Sequence, residues 1–302
     1  MNEIQGWLNI YKPVGISSFK AIKKIKDKFK IKKIGHAGTL DPLAEGVLPI
    51  AIGKSTKLIS FVNNDIKEYE FEIKWGANTT TDDKEGEITA VSSKIPSLKE
   101  INSELINFKG EILQKPPKAS AVKINGKRAY QLLRKNEDFE TREKKVYVKK
   151  IKVLNSSSEL ITKILIECGK GFYIRSFARD IAENLNTKGH IHSLKRTKVG
   201  KFVAKNANLL DDMLKIRQRL VEFKGFHASV SMLDDILAYE IEDEKNKDCI
   251  SKGKGININI NQLEPLSLNF SDRKMIFLTE KGNVISFGKL DGDLFKPHKV
   301  LI

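Results

Sequence analysis

Within "KEYEFEIKWG", residues 67–76, polar and apolar side chains alternate from Glu68 to Trp75. Tyr69, Phe71, Ile73 and Trp75 fall on one side, and Glu68, Glu70, Glu72 and Lys74 on the other, which predicts a half-buried strand. Tyr69 opens the buried face near the strand's end. A tyrosine there either joins the core with its hydroxyl bonded or lines a pocket beside the sheet edge. The period changes in "ISSFKAIKKIKDKFK", where Phe19, Ile22, Ile25 and Phe29 recur at helical spacing behind two candidate N-caps, Ser17 and Ser18. Lysines fill the opposite face, most simply a solvated one. "SLKEINSELINFKG" predicts a second helix. Ser97 and Glu100 match a capping box, Leu98, Ile101, Leu105 and Phe108 form the stripe, and Gly110 stops it.

Further on, Asn125-Gly126 marks a hairpin turn inside "SAVKINGKRAYQLLRK". Lys123, Lys127, Arg128, Arg134 and Lys135 crowd that segment, which reads as a projecting basic arm. "KVYVKKIKVL" and "LITKILIEC" predict consecutive strands, and "GKGFYIRSFARDIAENL" a strand end running into a helix with Arg175 just before it. After about residue 228 short strand-like pieces alternate with Gly, Asn and Asp, suggesting a small β-rich domain joined through "GFHASVSMLDDI". The expected division is 1–228 and 229–302.

Composition adds one strong signal. The chain has 302 residues and a formal net charge of +16. Residues 229–302 hold ten Lys/Arg and twelve Asp/Glu, so the remaining residues 1–228 carry +18. That excess points to a polyanionic partner, against the plainer reading of a lysine-rich composition. No apolar run is long enough for a membrane span, and the N-terminus lacks a signal peptide's apolar stretch. The two cysteines, Cys168 and Cys249, have no metal-ligand spacing, and neither a P-loop nor G-x-G-x-x-G occurs.

Candidate chemistry sits in "GHAGTLDPLAEGVLPIA". Pro42 biases Asp41 toward extended backbone, and Gly35 and Gly38 allow tight turns before it. A carboxylate on so stiff a loop serves as a cap, a metal ligand or a nucleophile, and the cap is the commoner use. Glu45, four residues on, allows an acid pair. Arg175, set between apolar residues, is either a surface residue or a half-buried cation needing a carboxylate. Paired with Arg175, a carboxylate keeps its charge and becomes a nucleophile that needs no cofactor.

Five blocks carry a resemblance that decides among these: "GWLNIYKPVGISS", "GHAGTLDPLAEGVLPIAIG", "YEFEIKWGANTTTDDKEG", "KPPKASAVKINGKRAY" and "GKGFYIRSFARDI". In this order they resemble the TruB family, bacterial tRNA pseudouridine-55 synthases related to dyskerin, over roughly residues 6–202. Residues from about 229 are more loosely similar to the family's C-terminal RNA-binding domain. The resemblance implies an α/β (α+β) pseudouridine synthase fold. It has a mixed, mainly antiparallel central sheet flanked by helices and loops, plus a small β-rich PUA-like C-terminal domain.

It further implies that Asp41 bonds covalently to the substrate nucleotide, that Tyr69 stacks on the target base, and that Arg175 pairs with Asp41. Tyr173 lies in the Arg175 block, and Leu194 packs in the pocket. His36 holds the splayed T-loop, and Lys12 supports the Asp41 loop. The basic arm around 123–145, with Lys123, matches a thumb that closes on RNA. The expected partner is tRNA, through its T-arm and, by the C-terminal domain, its acceptor stem. A monomer in the cytoplasm is implied, with no membrane, no guide RNA, no metal and no other cofactor. A non-catalytic tRNA-remodelling module and a guide-dependent synthase are the rival readings. Three positions depart from the family pattern: Ala119 for an aromatic, Thr80 for an acid, and "KGH" at 188–190 for "GAH".

Overall fold

The computed structural model describes residues 4–63, 66–135, 137–233, 237–265 and 275–302. Asn136 of the basic arm and residues 234–236 of the predicted connection lie outside them. In chain order the elements up to residue 199 are β1 (Gly6–Lys12), α1 (Ser18–Phe29), β2 (Ile34–His36), β3 (Ala44–Ile52), α2 (Ile59–Asn63) and β4 (Lys67–Trp75). Then come β5 (Ala77–Thr79), β6 (Ile88–Val91), α3 (Leu98–Glu104), β7 (Gly110–Gln114), β8 (Lys123–Ile124), β9 (Lys127–Arg128) and α4 (Ala129–Arg134). Last are β10 (Lys144–Ser158), β11 (Ile161–Cys168), α5 (Ile174–Asn184) and β12 (Gly189–Val199). The chain forms two compact units: Met1–Leu40 with Val47–Asp65 and Val199–Ile302, and Asp41–Gly46 with Ile66–Lys198.

In the second unit the strand order is β12-β4-β11-β10-β7. β4 and β11 pair antiparallel along their length, from Lys67↔Cys168 to Lys74↔Ile161. The predicted alternation of β4 holds throughout: Tyr69, Phe71, Ile73 and Trp75 are buried. The first residues of β3 add to β12 in parallel, Ala44 opposite Leu194 and Gly46 opposite Arg196, so this mainly antiparallel sheet is mixed. Phe177 of α5 meets Phe71 edge-on at 5.7 Å and Phe108 at 4.9 Å, fixing the helix by aromatic packing. The Ser97–Glu100 capping box is present. The β8–β9 hairpin turns through Asn125 (φ 49°) and Gly126 (φ 83°), the positive angles that an Asn-Gly turn supplies.

In the first unit β1 pairs with residues 208–209 in parallel and with 226–227 antiparallel, while β2 pairs with the end of β3. Its core joins Trp7, Val47, Leu58, Phe202, Leu233 and Phe277. A six-stranded sheet spans the C-terminal part in the order 256–257, 294–300, 283–291, 275–280, 237–240, 264–265.

Four local expectations are corrected. Phe19 is 74% exposed, and the buried face of α1 is Ser18, Ala21, Ile22 and Ile25. The N-cap is Ser17, which accepts a bond from Lys20 N, so the inward stripe starts at Ser18 and Phe19 is turned away from it. Leu98, directly after its cap, is likewise exposed while Ile101, Leu105 and Phe108 are buried. Gly35 does not turn the chain; it lies in β2, where a Cβ would press on Ile59 Cδ1 at 2.8 Å. Gly38, at φ 88°, does make the turn. Arg175 lies inside the first turn of α5 rather than before it.

Candidate active site

The second unit brings Asp41 and Arg175 together. Arg175 Nη2 stands 3.0 Å from Asp41 Oδ2, and Nη1 stands 3.6 Å from Asp83 Oδ2. The guanidinium also donates to the carbonyl oxygens of Thr81 and Ala119, each at 3.0 Å. The Arg175 and Asp83 side chains are almost wholly buried, whereas that of Asp41 is 37% exposed. A buried guanidinium with four acceptors is fixed in place, and the carboxylate that reaches solvent is Asp41. Asp83 is held in turn by Thr81 Oγ1 (2.6 Å) and Glu85 N (3.0 Å).

Arg175 owes its position to the start of α5. The residue before the helix, Tyr173, is clamped through its backbone by Gln114: Tyr173 N donates to Oε1 at 2.8 Å, and Nε2 donates to the Tyr173 carbonyl at 3.1 Å. Burial pushes the Tyr173 phenol up in pKa, against the nearby charge of Arg175. Leu194 is buried on β12 opposite Ala44, three residues beyond Asp41. Tyr69 is buried on β4, and burial raises its pKa above the ordinary 10.0, with the Arg196 charge opposing and that of Asp41 reinforcing the shift. Asp41, Arg175, Tyr173, Tyr69 and Leu194 therefore share one unit. Lys123 belongs to the same unit but is exposed on the β8–β9 hairpin.

His36 and Lys12 belong to the first unit. His36 pairs with Ile50 across β2 and β3. Lys12 is fully buried, and its ammonium donates to the carbonyls of Pro13 (2.9 Å) and Ile16 (2.7 Å), closing the turn of its own motif. The residue directly before Asp41 is pinned from α1. Ser18 Oγ accepts from Leu40 N at 2.8 Å and donates to Leu40 O at 2.9 Å.

Two residues that matter here were not singled out in the sequence, Asp83 as the second carboxylate on Arg175 and the buried Arg196, and Ser18, read there as a candidate N-cap, is instead that pin. Alternation in "HSLKRTKV" carries a signal for Arg196, because it shares a face with Leu194. The departures from the family pattern also find places. Ala119 contributes its carbonyl to Arg175, which any side chain at 119 would leave available. Thr80 closes its own loop, accepting from Glu87 N at 3.1 Å. Gly189 donates to Asn78 Oδ1, and a Cβ there would press on Trp75 at 3.1 Å.

A cleft of about 820 Å³ lies elsewhere in this unit, beside Arg179. Six carboxylates and three cations line it, a balance unsuited to a phosphate backbone. The site at Asp41 is the better candidate for chemistry. Among the described residues no helix is long and apolar enough to cross a membrane.

Residues 26–174 match the model of the TruB family pseudouridylate synthase (N terminal domain). A tRNA pseudouridine synthase B of Ehrlichia ruminantium is 40% identical over 303 residues, covering 98% of each chain. One of Caulobacter vibrioides is 38% identical over 263 residues, 87% of this chain and 84% of that one. Among solved structures, a chain in a Cbf5-Nop10-Gar1 complex superposes with a TM-score of 0.71 at 22% identity, covering 98% of this chain and 85% of that one. With the five motifs in register and relatives similar from end to end, the chain belongs to the TruB family of pseudouridylate synthases.

Proposed function

We propose that the protein isomerises uridine 55 in the T-loop of tRNA to pseudouridine, with Asp41 as the nucleophile. The observation that carries this reading is the Asp41–Arg175 pair at 3.0 Å, with a buried arginine and a half-exposed aspartate. The target uridine leaves the tRNA elbow by base flipping. Tyr69 offers the ring on which the flipped uracil stacks, worth about 1–3 kcal/mol. His36 fills the space left in the loop. Asp41 attacks either C6 of uracil, adding across the 5,6 double bond, or C1′ of ribose, displacing N1; its bond is broken again by elimination from C6 or as C5 takes C1′. The N1–C1′ bond breaks, the base turns, and the C5–C1′ bond forms. The C5 proton then leaves while N1 gains one, so the reaction is a net isomerisation. Tyr69 is the candidate to accept the C5 proton.

The division at residue 228 separates a catalytic part from a PUA-like part that contacts the acceptor stem. The arm around 123–145 closes over the T-arm, with Lys123 on phosphate, and Lys12 supports the loop from its buried turn. The protein works as a cytoplasmic monomer without guide RNA. Conversion of Asp41 to Asn tests the reading. Product from a bare tRNA transcript is expected to vanish while tRNA still binds, and undiminished conversion would overturn it. A pseudouridine map of the product that places the modification outside the T-loop would overturn the substrate.

A further inference from the structure

β12 carries a buried cation that the reaction outlined above leaves without a role. Arg196 is 1% exposed and ranks among the largest fully buried side chains. Burying a guanidinium is costly unless it is charge-paired or hydrogen-bonded, so its surroundings matter.

The pleat defines them. Ser193 Oγ donates to Glu72 at 2.8 Å and Thr197 Oγ1 to Glu68 at 2.6 Å, so the odd-numbered residues of β12 share the outer face of β4 with its glutamates. Leu194 and Arg196 therefore share the inner face with Tyr69, Phe71 and Ile73. Arg196 lies on that face beside Tyr69, and its charge acts on the Tyr69 hydroxyl. On its other edge β12 pairs with the strand that follows Asp41, Arg196 standing directly opposite Gly46. Gly46 has φ 108°, and a Cβ there would collide with the Arg196 carbonyl. The backbone of Arg196 is thus locked to the Asp41 segment while its side chain lies on the face that carries Tyr69.

We propose that Arg196 is a positioning residue of the isomerisation, setting the Tyr69 hydroxyl at a fixed place relative to Asp41. This inference rests on the functional reading above. A guanidinium only donates hydrogen bonds, so toward a phenol it favours the oxygen. A phenol beside that charge turns its hydrogen away and its oxygen toward the guanidinium. Its charge also opposes the effect of burial, which favours the neutral phenol. Leu194, on the same face, adds an apolar wall.

The test uses full-length Arg196→Met and Arg196→Lys proteins. Single-turnover conversion of tRNA is measured beside tRNA affinity. In parallel, the ring carbon bearing the hydroxyl of Tyr69 is followed by NMR after carbon-13 labelling of tyrosine, with Tyr69→Phe identifying the resonance. Arg196→Met is expected to slow conversion on the order of 10- to 100-fold at unchanged affinity, the usual penalty of a misplaced reacting group. The Tyr69 resonance is expected to move with it. Arg196→Lys is expected to restore part of both, and it carries the test alone if the methionine protein does not fold. An unmoved resonance overturns the proposal, as does a loss confined to affinity or an unchanged rate. A native protein that makes no pseudouridine overturns the functional reading instead, while the resonance still reports on the contact.

Discussion

Arg175 illustrates how much a single residue's environment decides. Its guanidinium meets Asp41, Asp83 and two carbonyls, so it does not depend on Asp41 for its position. Replacing Asp83 with Asn removes the buried countercharge and is expected to lower the conversion rate more than tRNA affinity. It should cost about 1–3 kcal/mol of stability, read by denaturant unfolding. Gly46→Ala meets two obstacles at once, a left-handed backbone and the Arg196 carbonyl. A loss of about 3 kcal/mol in the same measurement is expected, and a neutral result would mean the strands part more easily than their register implies. Asp41 was legible in the sequence as a framed carboxylate, and the family blocks assigned its use. Its neighbours were less legible. Asp83 is one acid among several in a polar loop until the chain folds it onto Arg175, and Ser18 looks like a cap until Leu40 arrives 22 residues later.

At the scale of elements, periodicity named faces well and partners poorly. The alternation of β4, the Ser97 capping box and the Asn-Gly hairpin all depend on local chemistry, and all are present. The exposed Phe19 and Leu98 show the limit: each sits at an element's first turn, where one residue of phase decides burial. The loop after β5 and helix α5 are joined by charge as well as packing. Asp82 meets Arg179 at 3.1 Å, yet burial outweighs that pairing and lifts its pKa from 3.8 to about 6. The sign follows from linkage. The folded protein binds the proton more tightly than the unfolded chain, so this group's contribution is full below about pH 4 and is lost as pH rises through about 6. The difference is about 3 kcal/mol. Asp82→Asn removes that slope, so its stability relative to the parent is expected to rise between pH 4 and 7, seen by unfolding at both. Ser97→Ala should cost about 1 kcal/mol at any pH in that range.

For the whole molecule the uneven charge matters most. Residues 1–228 carry +18 and residues 229–302 carry −2. Affinity for tRNA is expected to fall linearly with the logarithm of salt concentration, with a slope of about −0.7 to −0.9 for each phosphate neutralised, the span from single strands to B-form DNA. Filter binding between 50 and 200 mM salt checks it, on the order of the range where such contacts are lost; a flat response would remove electrostatics from recognition. The path of the chain has a different consequence. It leaves the first unit at Leu40, spends six residues, Asp41–Gly46, in the second, and returns at Val47. Tyr69, Arg175 and Leu194 all lie on the later stretch Ile66–Lys198. Any genetic fragment cut at the natural seams of that stretch inherits three of the four groups and leaves the nucleophile behind. The site is therefore not a transferable cassette: recombination that moved the later stretch alone would carry Arg175 without the carboxylate it pairs with at Asp41.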